Sequence, residues 1–599
     1  MEYEPDSGFL GVGRSLTSRR WIPRLENDRL ALQLAQQADV PELLARVLVA
    51  RGVTADACEQ HLNPTLRSYL PDPSIVEDMD KAAERITKAI VDGEQVAVFG
   101  DYDVDGATSS ALLKLYFEAI GAPLRIYIPD RIKEGYGPNA PAFLKLKDLG
   151  ASLIITVDCG TMAHKPLGIA KERGLDVVVV DHHQAEPLLP PAVAVVNPNR
   201  LDDTSGLGQL AAVGVTFLLL IALNRTLRSA GWFEGDREEP DLLDMLDIAA
   251  LGTVCDVVPL TGLNRAIVTQ GLKVMGSRKN MGLAALGDVA KMDGAPGTYH
   301  AGFLLGPRVN AGGRVGRADL GARLLTTHDA AEAHEIALAL DTYNRERQAI
   351  EAMVLEQAIE QVDAALAHSR ANQPPPLIIA SGTGWHPGVI GIVASRIKDK
   401  YDRPTFVVAI DGKGEGKGSG RSVPGVDLGR AVTAALEAGL LVNGGGHAMA
   451  AGLTVREGKL DELHEFLNGR IASDVMAAGE ERQLKLDGAL TTDAASREMF
   501  EMLEKAGPYG AGNPEPRFAV PRVRIVRADR VGQNHVRCIL AGDEGGRLKG
   551  IAFRAADSEL GESLLNSGGA VFHVAGRLRA DDWQGRRGVQ LQIDDAARL

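Results

Sequence analysis

Between Val96 and Val196 the chain alternates short apolar runs with stretches of helical character. The runs are Val96–Phe99, Leu124–Ile128, Ser152–Val157, Val177–Val180 and Val193–Val196. Short, continuously apolar runs are typical of strands buried on both faces, and helices between them favour a parallel, doubly wound sheet. The segment therefore predicts an α/β domain that binds its ligands at the carboxyl edge of the sheet.

Acidic and imidazole side chains follow three of these runs. They are Asp101, Asp103 and Asp105 after the first run, Asp158 after the third, and Asp181, His182 and His183 after the fourth. Parallel strands end at one edge of a sheet, so we expect these side chains to converge in one crevice. Carboxylates this close repel one another unless a cation neutralises them, and a hard divalent cation suits oxygen ligands. The sequence therefore predicts a metal site at this edge.

Two simpler interpretations of the aspartate loop compete with a shared metal site. The string 101–106 imitates an EF-hand calcium loop, but that loop needs a Glu at its twelfth position, where Leu112 stands. A solvated acidic turn is as common for an isolated loop, and one Asp at a strand end is often a turn former. Three such strand ends favour the shared site. Asp256, which follows the helical stretch Asp241–Val254, is either a turn residue or one more carboxylate of the crevice.

Three glycine-rich segments carry basic or polar side chains. They are Leu304–Gly316 with Arg308, Asn310 and Arg314, Gly416–Ser422 with Arg421 and Ser422, and Asn443–Ala451 with Gly445, Gly446 and His447. Glycine lets the backbone approach a phosphate, successive glycines can form an anion-binding nest, and Arg binds phosphate bidentately. The last two segments are predicted to be loops. From the residues alone, phosphate contact competes with solvated surface turns and a structural His.

At 599 residues the chain is too long for one core, so three or four domains are expected. A hydrophobic content of 45% and a mean hydropathy of −0.05 are typical of a soluble globular protein, and no apolar run is long enough to cross a membrane. Residues 1–25 lack an apolar signal core. The four cysteines contain no CxxC pair, which disfavours zinc ribbons and disulfide scaffolds. We expect a cytoplasmic protein.

The net charge of −14 disfavours a generally basic nucleic-acid binder, but the charge is uneven. Residues 515–599 contain 14 Lys and Arg against 11 Asp and Glu. Five runs of strand character lie there, at Val520–Val531, His535–Leu540, Leu548–Arg554, Val571–Arg579 and Val589–Ile593. Five short strands with glycine-rich turns favour an OB-fold, a common binder of single strands. Tyr509, Phe518 and Trp583 are candidates either to stack on bases or to lie in the core.

Four acidic or imidazole groups also resemble, in order and context, the motifs of the DHH phosphoesterase superfamily. The resemblance rests on Asp103 with Asp105, Asp158 in VDCG, Asp181-His182-His183, and Asp256 in TVCDVVPL. From about Arg67 to the C-terminus the chain more fully resembles the RecJ family of single-strand-specific 5′→3′ DNA exonucleases. Related pyrophosphatases have a His four residues before the first acidic pair, where this chain has Phe99, and Asp101 is the residue that could compensate.

The resemblance implies two divalent cations, Mn²⁺ or Mg²⁺, about 4 Å apart. The implied metal ligands are Asp103, Asp105, Asp158, His182 and Asp256, with Asp158 as the bridge. The implied catalytic residues are His183, Asp101 and Asp158. His183 would contact the scissile phosphate or assist proton transfer, and Asp181 would orient its neighbours. Across a cleft too narrow for duplex, the implied contacts to the strand are Arg308, Asn310, Arg314, Arg421, Ser422, Gly445, Gly446 and His447.

The predicted architecture is α/β multidomain, with an OB-fold β-barrel at the C-terminus. It comprises a helical segment at 1–70, a doubly wound DHH catalytic domain at 71–327, a helical connector at 328–372, a smaller DHH-associated α/β domain at 373–475 and an OB-fold at 476–599. The implied function is release of 5′-mononucleotides from single-stranded DNA in recombination and repair. A single-strand-binding protein or a helicase is the expected protein partner, and no membrane is involved.

Three other functions compete with this one. They are hydrolysis of cyclic dinucleotides or short oligonucleotides, pyrophosphate hydrolysis, and a non-catalytic single-strand-binding scaffold. The C-terminal β domain disfavours the first, because a tiny substrate needs no extended groove. Chain length and Phe99 disfavour the second. The presence of all five implied metal ligands disfavours the third.

Overall fold

The computed structural model describes residues 8–131, 134–135, 137–368, 374–479, 482–582 and 587–599. The chain divides into two compact units, each built from two stretches of sequence. The larger unit contains residues 23–344 and 486–599, and the smaller unit contains residues 1–22 and 345–485. The predicted catalytic and OB-fold regions therefore belong to the same unit.

The strands are named in chain order. They are β1 Arg20–Pro23, β2 Val96–Gly100, β3 Leu124–Tyr127, β4 Leu153–Val157, β5 Asp176–Val180, β6 Ala194–Val196, β7 Ile378–Thr383, β8 Thr405–Ile410, β9 Glu415–Arg421, β10 Asn443–His447, β11 Ala450–Arg456, β12 Gln483–Leu486, β13 Gly488–Ala489, β14 Phe518–Val531, β15 His535–Ala541, β16 Arg547–Ala552, β17 Val571–Asp581 and β18 Gly588–Arg598. Strands β1 and β12 pair with each other, and the others form three larger sheets.

The α-helices are also named in chain order. They are α1 Asp28–Ala38, α2 Glu42–Val49, α3 Ala55–Leu62, α4 Leu66–Tyr69, α5 Met79–Val91, α6 Val104–Ala119, α7 Ala140–Asp148, α8 His164–Glu172, α9 Ala212–Ser229, α10 Leu246–Cys255, α11 Gly262–Gly276, α12 Met281–Val289, α13 Gly306–Val315, α14 Leu320–Thr326, α15 Ala330–His368, α16 Ile390–Tyr401, α17 Leu428–Glu437, α18 Leu460–Gly479, α19 Arg497–Glu504 and α20 Glu559–Leu565. Short 3₁₀-helices lie at Phe9–Gly11, Pro73–Ile75, Leu242–Met245 and Glu457–Lys459, and a π-helix lies at His300–Leu305.

A five-stranded parallel sheet forms the centre of the larger unit, in the order β3-β2-β4-β5-β6. Side chains alternate between its two faces, so Val98 and Ile155 pack with the α5, α6 and α9 side. Phe99 and Ile154 pack on the opposite face with α7 and α8. Helices on both faces of a parallel sheet confirm the doubly wound prediction, and all five predicted runs are strands.

Helix α9 is the one helix in the described part of the chain with the length and apolarity of a membrane span. However, 72% of its apolar window is buried within the protein. It packs against α5, α6 and α10 in the main core of the larger unit. This environment is that of a core helix, and the N-terminal end of α9 meets the first acidic loop.

The C-terminal part of the larger unit is a closed β-barrel. Its sheet has the order β13-β14-β15-β16-β18-β17, and β14 also pairs with β17 and closes the barrel. All five predicted strands are present as β14 to β18. Phe518 is completely buried, so it belongs to the core and does not stack on bases. The hydroxyl of Tyr509 donates to the carbonyl of Leu503, and Trp583 lies outside the described residues.

The smaller unit contains a mixed sheet in the order β10-β11-β9-β8-β7. Strands β7 and β8 are parallel, and the other neighbours are antiparallel. Helix α16 and the C-terminal part of α15 share one apolar cluster with β7 and β8, whereas α17 and α18 share another with β8 and β11. Within the described residues 328–368, the predicted helical connector is one long helix, α15.

The predicted loop at Gly416–Ser422 is wrong, because Glu415–Arg421 is strand β9. The alternate glycines of β9 lie on the face of the sheet that packs into the apolar cluster shared with α17 and α18. A Cβ atom at Gly416 would lie 2.7 Å from Val408, and one at Gly418 would lie 2.6 Å from Leu453. The glycines therefore make room for neighbouring apolar side chains, and Arg421 points to the opposite face from Gly420.

The predicted loop at Asn443–Ala451 is also wrong over most of its length. Asn443–His447 is the edge strand β10, which pairs with β11 through the partners Gly445 with Gly452 and His447 with Ala450. An extended strand turns successive N–H groups in opposite directions, so Gly444 to Gly446 do not form the predicted anion-binding nest. Gly446 has a φ of 149°, a conformation that favours glycine.

Candidate metal centre

The carboxyl ends of adjacent strands place three aspartates in one row. The amide N–H of Asp101 donates to Val157 at 3.3 Å, and that of Asp158 donates to Val180 at 3.0 Å. The amide of Asp181 likewise donates to the carbonyl of the last residue of β6 at 3.0 Å. The sheet register therefore continues for one residue past β2, β4 and β5, which brings these carboxylates together as predicted.

His182 lies at the centre of a group of carboxylates. Its Nε2 atom is 3.3 Å from Oδ1 of Asp158, 3.8 Å from Oδ2 of Asp105 and 3.6 Å from Oδ2 of Asp256. Burial, followed by the charge of His183, lowers the pKa of His182 to about 4. A neutral imidazole among carboxylates is a suitable nitrogen ligand for a divalent metal ion.

Three sets of side chains bring their ligand atoms within 4.8 Å of one another. They are Asp158 with His182 and His183, Asp105 with His182 and Asp256, and Asp101 with Asp103 and Asp158. Asp158 belongs to two of these sets, one formed with histidines and the other with the first acidic loop. This placement suits the predicted role of Asp158 as a bridge between two cations. Together, the three sets include all five predicted metal ligands.

Asp103 and Asp105 are held by helix N-termini. Asp103 caps α6, since its Oδ1 accepts hydrogen bonds from the amides of Asp105 at 2.9 Å and Gly106 at 3.1 Å. Asp105 accepts the amides of Ala212 at 2.7 Å and Val213 at 2.8 Å, at the start of α9. These bonds fix both carboxylates through backbone amides, and a metal ion can still bind their remaining lone pairs.

The backbone at Asp158 is in the left-handed region, with a φ of 59°. Non-glycine residues adopt this conformation rarely, with Asn and Asp several-fold enriched. Such positions cluster at functional sites, where the surrounding structure holds them. Strand β4 lies between β2 and β5, so Asp158 is at the centre of the row.

Asp256 satisfies both interpretations that the sequence allowed. It is the C-terminal cap of α10, and its side chain reaches the group around His182. Burial and the charge of Asp103 raise its pKa to about 7. A C-terminal cap is electrostatically unfavourable for a carboxylate, so nearby positive charge would stabilise it.

His183 is oriented by Asp181. Its Nδ1 lies 2.7 Å from Oδ1 of Asp181, which also accepts the amides of His182 and His183. Burial acts to lower the pKa of His183, but the hydrogen bond and the charge of Asp181 outweigh it and raise the pKa to about 9. The bond to Nδ1 fixes the orientation of the imidazole ring. Asp181 therefore has the orienting position predicted for it.

The site contains buried polar atoms that the described protein leaves without hydrogen-bond partners. They are Oδ1 of Asp101, Nε2 of His182 and Oδ2 of Asp256. Burial, followed by the charge of Asp103, raises the pKa of Asp101 to about 8, and burial with neighbouring carboxylates raises those of Asp105 and Asp158 well above the usual range. Bound divalent cations would stabilise the ionised form of carboxylates buried in this way. The donor set fits two divalent cations.

Two asparagines that the sequence analysis did not select hold the backbone of the His182-His183 pair. The side-chain amide of Asn197 donates to the carbonyl of His183 at 2.8 Å and to Thr161 at 2.9 Å. That of Asn199 donates to the carbonyl of His182 at 2.5 Å. Asn197 directly follows strand β6, so the strand-end rule applied to the fifth run could have found it.

Helix α13 brings part of the predicted strand-contact group to the first acidic loop. A Cβ atom at Gly313 would collide with the carbonyl oxygen of Tyr102, so glycine lets the helix approach that loop. The guanidinium of Arg131 lies 5.0 Å from the centre of the Tyr102 ring, and the charge of Arg314 also acts on this tyrosine. Arg131 was not selected from the sequence, because it lies far from any recognised motif.

Arg308 and Asn310 also lie on α13, which is a helix and not a glycine-rich turn. Arg308 donates to Asp341 at 3.0 Å and to the carbonyl of Leu304 at 2.7 Å. These contacts hold the guanidinium within the protein, whereas Asn310 is partly exposed. Phosphate contact by either residue stays a prediction.

The remaining predicted contacts lie in the smaller unit. Arg421 and His447 are both register partners of Ala450, one from β9 and one from β10, so their side chains share a face of the sheet. Ser422 is buried, and its hydroxyl donates to the carbonyl of Val426 at 2.6 Å. The structure does not support the predicted strand contact by Ser422, because no exposed atom of this side chain is available to a phosphate.

A surface cavity of about 440 Å³ lies beside His447 in the smaller unit. Gly446, Arg430 and Arg470 also line it, together with Asp427 and Glu437. Arg430 lies in α17 and Arg470 in α18, so no local motif joined them. They add positive charge beside the predicted contacts at Gly446 and His447.

Three known protein domains match successive segments of the chain. Residues 95–253 match the DHH family N-terminal domain, residues 375–473 the DHHA1 domain and residues 486–595 the RecJ OB domain. The single-stranded-DNA-specific exonuclease RecJ of Dickeya dadantii is 37% identical over 564 residues, which cover 93% of this chain and 96% of that protein. The chain belongs to the RecJ family. A RecJ of Bacillus subtilis is 35% identical, over 96% of this chain and 71% of that protein.

Solved RecJ structures agree with this assignment. RecJ from Thermus thermophilus in complex with Mn²⁺ has a TM-score of 0.78 at 30% identity, and the match covers 96% of this chain and 78% of that one. The same protein in complex with Mg²⁺ gives a TM-score of 0.73 at 28% identity, over 96% of this chain and 77% of that one. RecJ membership therefore rests on sequence and on fold over nearly the whole chain.

Proposed function

We propose that this chain is a metal-dependent exonuclease that hydrolyses phosphodiester bonds of single-stranded DNA. The observation that carries the proposal is the convergence of Asp158, His182 and Asp256 from separate elements on one buried group of ligand atoms. The RecJ relatives, named for single-stranded-DNA-specific exonuclease activity, support the substrate class. The RecJ structures with Mn²⁺ and Mg²⁺ support the cofactor.

The donor set supports a two-cation reaction. Bound divalent cations supply an activated water and neutralise charge that develops on the phosphate. The five ligands Asp103, Asp105, Asp158, His182 and Asp256 would hold them. His183, oriented by Asp181, would contact the scissile phosphate or assist proton transfer. Asp101 has a raised pKa, and its Oδ1 has no hydrogen-bond partner among the described residues. It would assist catalysis from the end of β2.

The finer features of the reaction are part of the same proposal. We infer 5′→3′ polarity, release of 5′-mononucleotides, and roles in DNA recombination and repair in the cytoplasm. A single-strand-binding protein or a helicase is the proposed partner. The positive balance of residues 515–599 and the barrel they form support a strand-binding role for this region.

The test is digestion of end-labelled DNA by the full chain. Single strands and duplexes of one sequence, labelled at the 5′ or 3′ end, are incubated with Mn²⁺, Mg²⁺ or EDTA, and products are resolved by size. We expect single strands to be degraded with either cation and duplexes to persist. Immediate release of labelled mononucleotide from the 5′ label, with a ladder from the 3′ label, would support the polarity.

Other product patterns would contradict specific parts of the proposal. Cleavage confined to dinucleotides would favour a small-substrate phosphodiesterase. Binding of single strands without hydrolysis under every cation would favour a scaffold. The reverse pattern of labels would overturn the polarity while leaving the exonuclease assignment intact.

A further inference from the structure

An aromatic pair on the surface of the larger unit has no role in the chemistry described above. Tyr299 and Phe303 have exposed fractions of 62% and 71%. Their rings lie parallel, with centroids 5.5 Å apart and an interplanar angle of 21°. His300 contacts Tyr299 edge-on, with centroids 5.9 Å apart. Contact with another planar group is favourable here, because it removes a large planar apolar surface from water.

The local backbone presents this pair outward. His300–Leu305 is a π-helix, a rare conformation that occurs often at functional sites. Ala301 and Leu305 are completely buried on its inner side. Tyr299 and Phe303 point the other way, so packing of the inner side fixes the orientation of the outer pair.

The π-helix packs against the end of α10 that precedes the candidate metal ligand Asp256. The thiol of Cys255 donates to the carbonyl of Ala301 at 3.5 Å. A Cβ atom at Gly302 would lie 3.3 Å from Cγ1 of Val254. Immediately beyond Asp256, Val257 is 70% exposed. The π-helix that carries the aromatic pair therefore packs against the end of α10 that positions Asp256, and an exposed apolar side chain follows that candidate ligand.

The same helical stretch connects the metal centre with the barrel. It continues directly into α13, which carries Arg314 beside the first acidic loop. At its other end, Thr298 donates its hydroxyl to the carbonyl of Tyr509 at 3.0 Å, in the segment that leads into the barrel. A strand with one end at the metals and its continuation toward the barrel would pass this position.

We propose that Tyr299 and Phe303 stack on unpaired bases of the DNA strand beside the metal centre. This inference rests on the proposed function and names how that site holds its substrate. Stacking suits an enzyme that must act on DNA strands of any base sequence, because each base offers a π-face. It also disfavours duplex, whose bases are already stacked on their neighbours.

The test separates base stacking from phosphate contact. The full-length Tyr299→Ala/Phe303→Ala double variant is compared with the wild-type chain in EDTA. Fluorescence anisotropy measures binding of a labelled oligothymidylate and of an abasic strand with the same number of phosphates. We expect Kd for the oligothymidylate to rise about tenfold, as for loss of one stacked base, and Kd for the abasic strand to stay unchanged. Phe303→Tyr, which keeps the ring, should bind as wild type.

Leu243→Ala is the matched control. Leu243 is 54% exposed and lies in the 3₁₀-helix before α10, at the end away from Asp256. The substitution removes an exposed apolar side chain of the same unit without touching the aromatic pair, so this variant should bind both strands as wild type.

Several outcomes would overturn the inference alone. They are an unchanged Kd for the oligothymidylate in the double variant, an equal loss for both strands, or a change only in self-association on size-exclusion chromatography. In each case the proposed function would still stand if the wild-type chain binds and degrades single strands. Wild-type chain that does neither would instead reject the proposed function, and the inference with it.

Discussion

The Nε2 atom of His182 lies 3.3 Å from Oδ1 of Asp158, although the two residues follow different strands of the same sheet. Carboxylate oxygens of Asp105 and Asp256 lie 3.8 Å and 3.6 Å from the same nitrogen, which has no hydrogen-bond partner in the described structure. A buried group so rich in acceptors is stabilised by a cation between its members.

Asp158→Asn should reduce hydrolysis of single-stranded DNA by more than about 100-fold, because even outer-sphere partners of metal ligands cost about 10–100-fold. Asn tolerates the left-handed backbone at this position, so circular dichroism should show an unchanged fold. The matched control is Asp288→Asn, an exposed carboxylate paired with Arg278 on the surface, which should keep full activity. Full activity of Asp158→Asn in Mn²⁺ would refute the bridging role.

Asn197→Ala should weaken Mn²⁺ binding about 10-fold, because the carbonyl of His183 loses the amide that positions it. The buried carbonyl left without a donor should also lower the free energy of unfolding by about 1–3 kcal/mol. Calorimetric titration and thermal unfolding measure the two effects. Asn197→Asp should behave like Asn197→Ala, since a carboxylate cannot donate. Wild-type Mn²⁺ affinity in both variants would contradict the positioning role.

Two buried carboxyls, Asp101 and Asp256, should make the stability of the metal-free chain fall as pH rises from about 4 to about 8, by up to about 1.4 kcal/mol per pH unit for each proton involved. The folded-state pKa values of Asp256, about 7, and Asp101, about 8, lie above the unfolded value. Between the unfolded and folded pKa values the folded chain holds protons that the unfolded chain has released, so the fall in stability ends once both carboxyls have ionised in the folded chain.

Mn²⁺ should reverse this trend and raise the melting temperature most at the upper end of the range, because the ligands must be deprotonated to bind it. Differential scanning calorimetry with and without Mn²⁺ checks both slopes. Asp256→Asn removes one of the titrating carboxyls and should flatten the metal-free slope. An Mn²⁺ effect that is larger at low pH would argue against these carboxylates as ligands.

Gly313→Ala should lower the free energy of unfolding by about 1–3 kcal/mol, because the added methyl collides with the carbonyl of Tyr102. The same shift would move Arg314 away from the acidic loop, so activity should fall as well. Gly168→Ala in α8 is the matched control. Among the described residues, no atom outside the adjoining residues and the helix's own backbone lies within 4 Å of the added methyl, and helix propensity predicts stabilisation by up to about 1 kcal/mol. Urea unfolding of both variants decides the point.

The strand ends could be predicted from the sequence because register follows from pattern. Apolar runs separated by helices dictate a parallel sheet, and a parallel sheet brings Asp101, Asp158 and Asp181 to one edge. The contribution of Asp256 depends on the packing of α10 in three dimensions, which spacing alone does not determine. The amide of Asn199 supports the site through a backbone carbonyl, and such a partner has no side-chain motif, whereas Asn197 could have been found because it directly follows β6.

The glycine-rich segments mislead sequence analysis for a definite physical reason. Glycines at alternate positions in β9 and polar residues between them have the composition of a loop, but Phe406 and Leu453 occupy the space that larger side chains would need. Glycine has low helix propensity, yet α13 forms because Gly313 allows close approach to the loop at Tyr102. Tertiary packing, which the sequence does not display locally, decides both cases.

The position of Asp256 at the end of α10 has a consequence for synthesis of the chain. The strand-end residues Asp101 to His183 leave the ribosome before α10 does, so the parallel sheet can close before the last carboxylate of the centre emerges. A nascent chain therefore carries an incomplete nuclease until translation has passed Asp256.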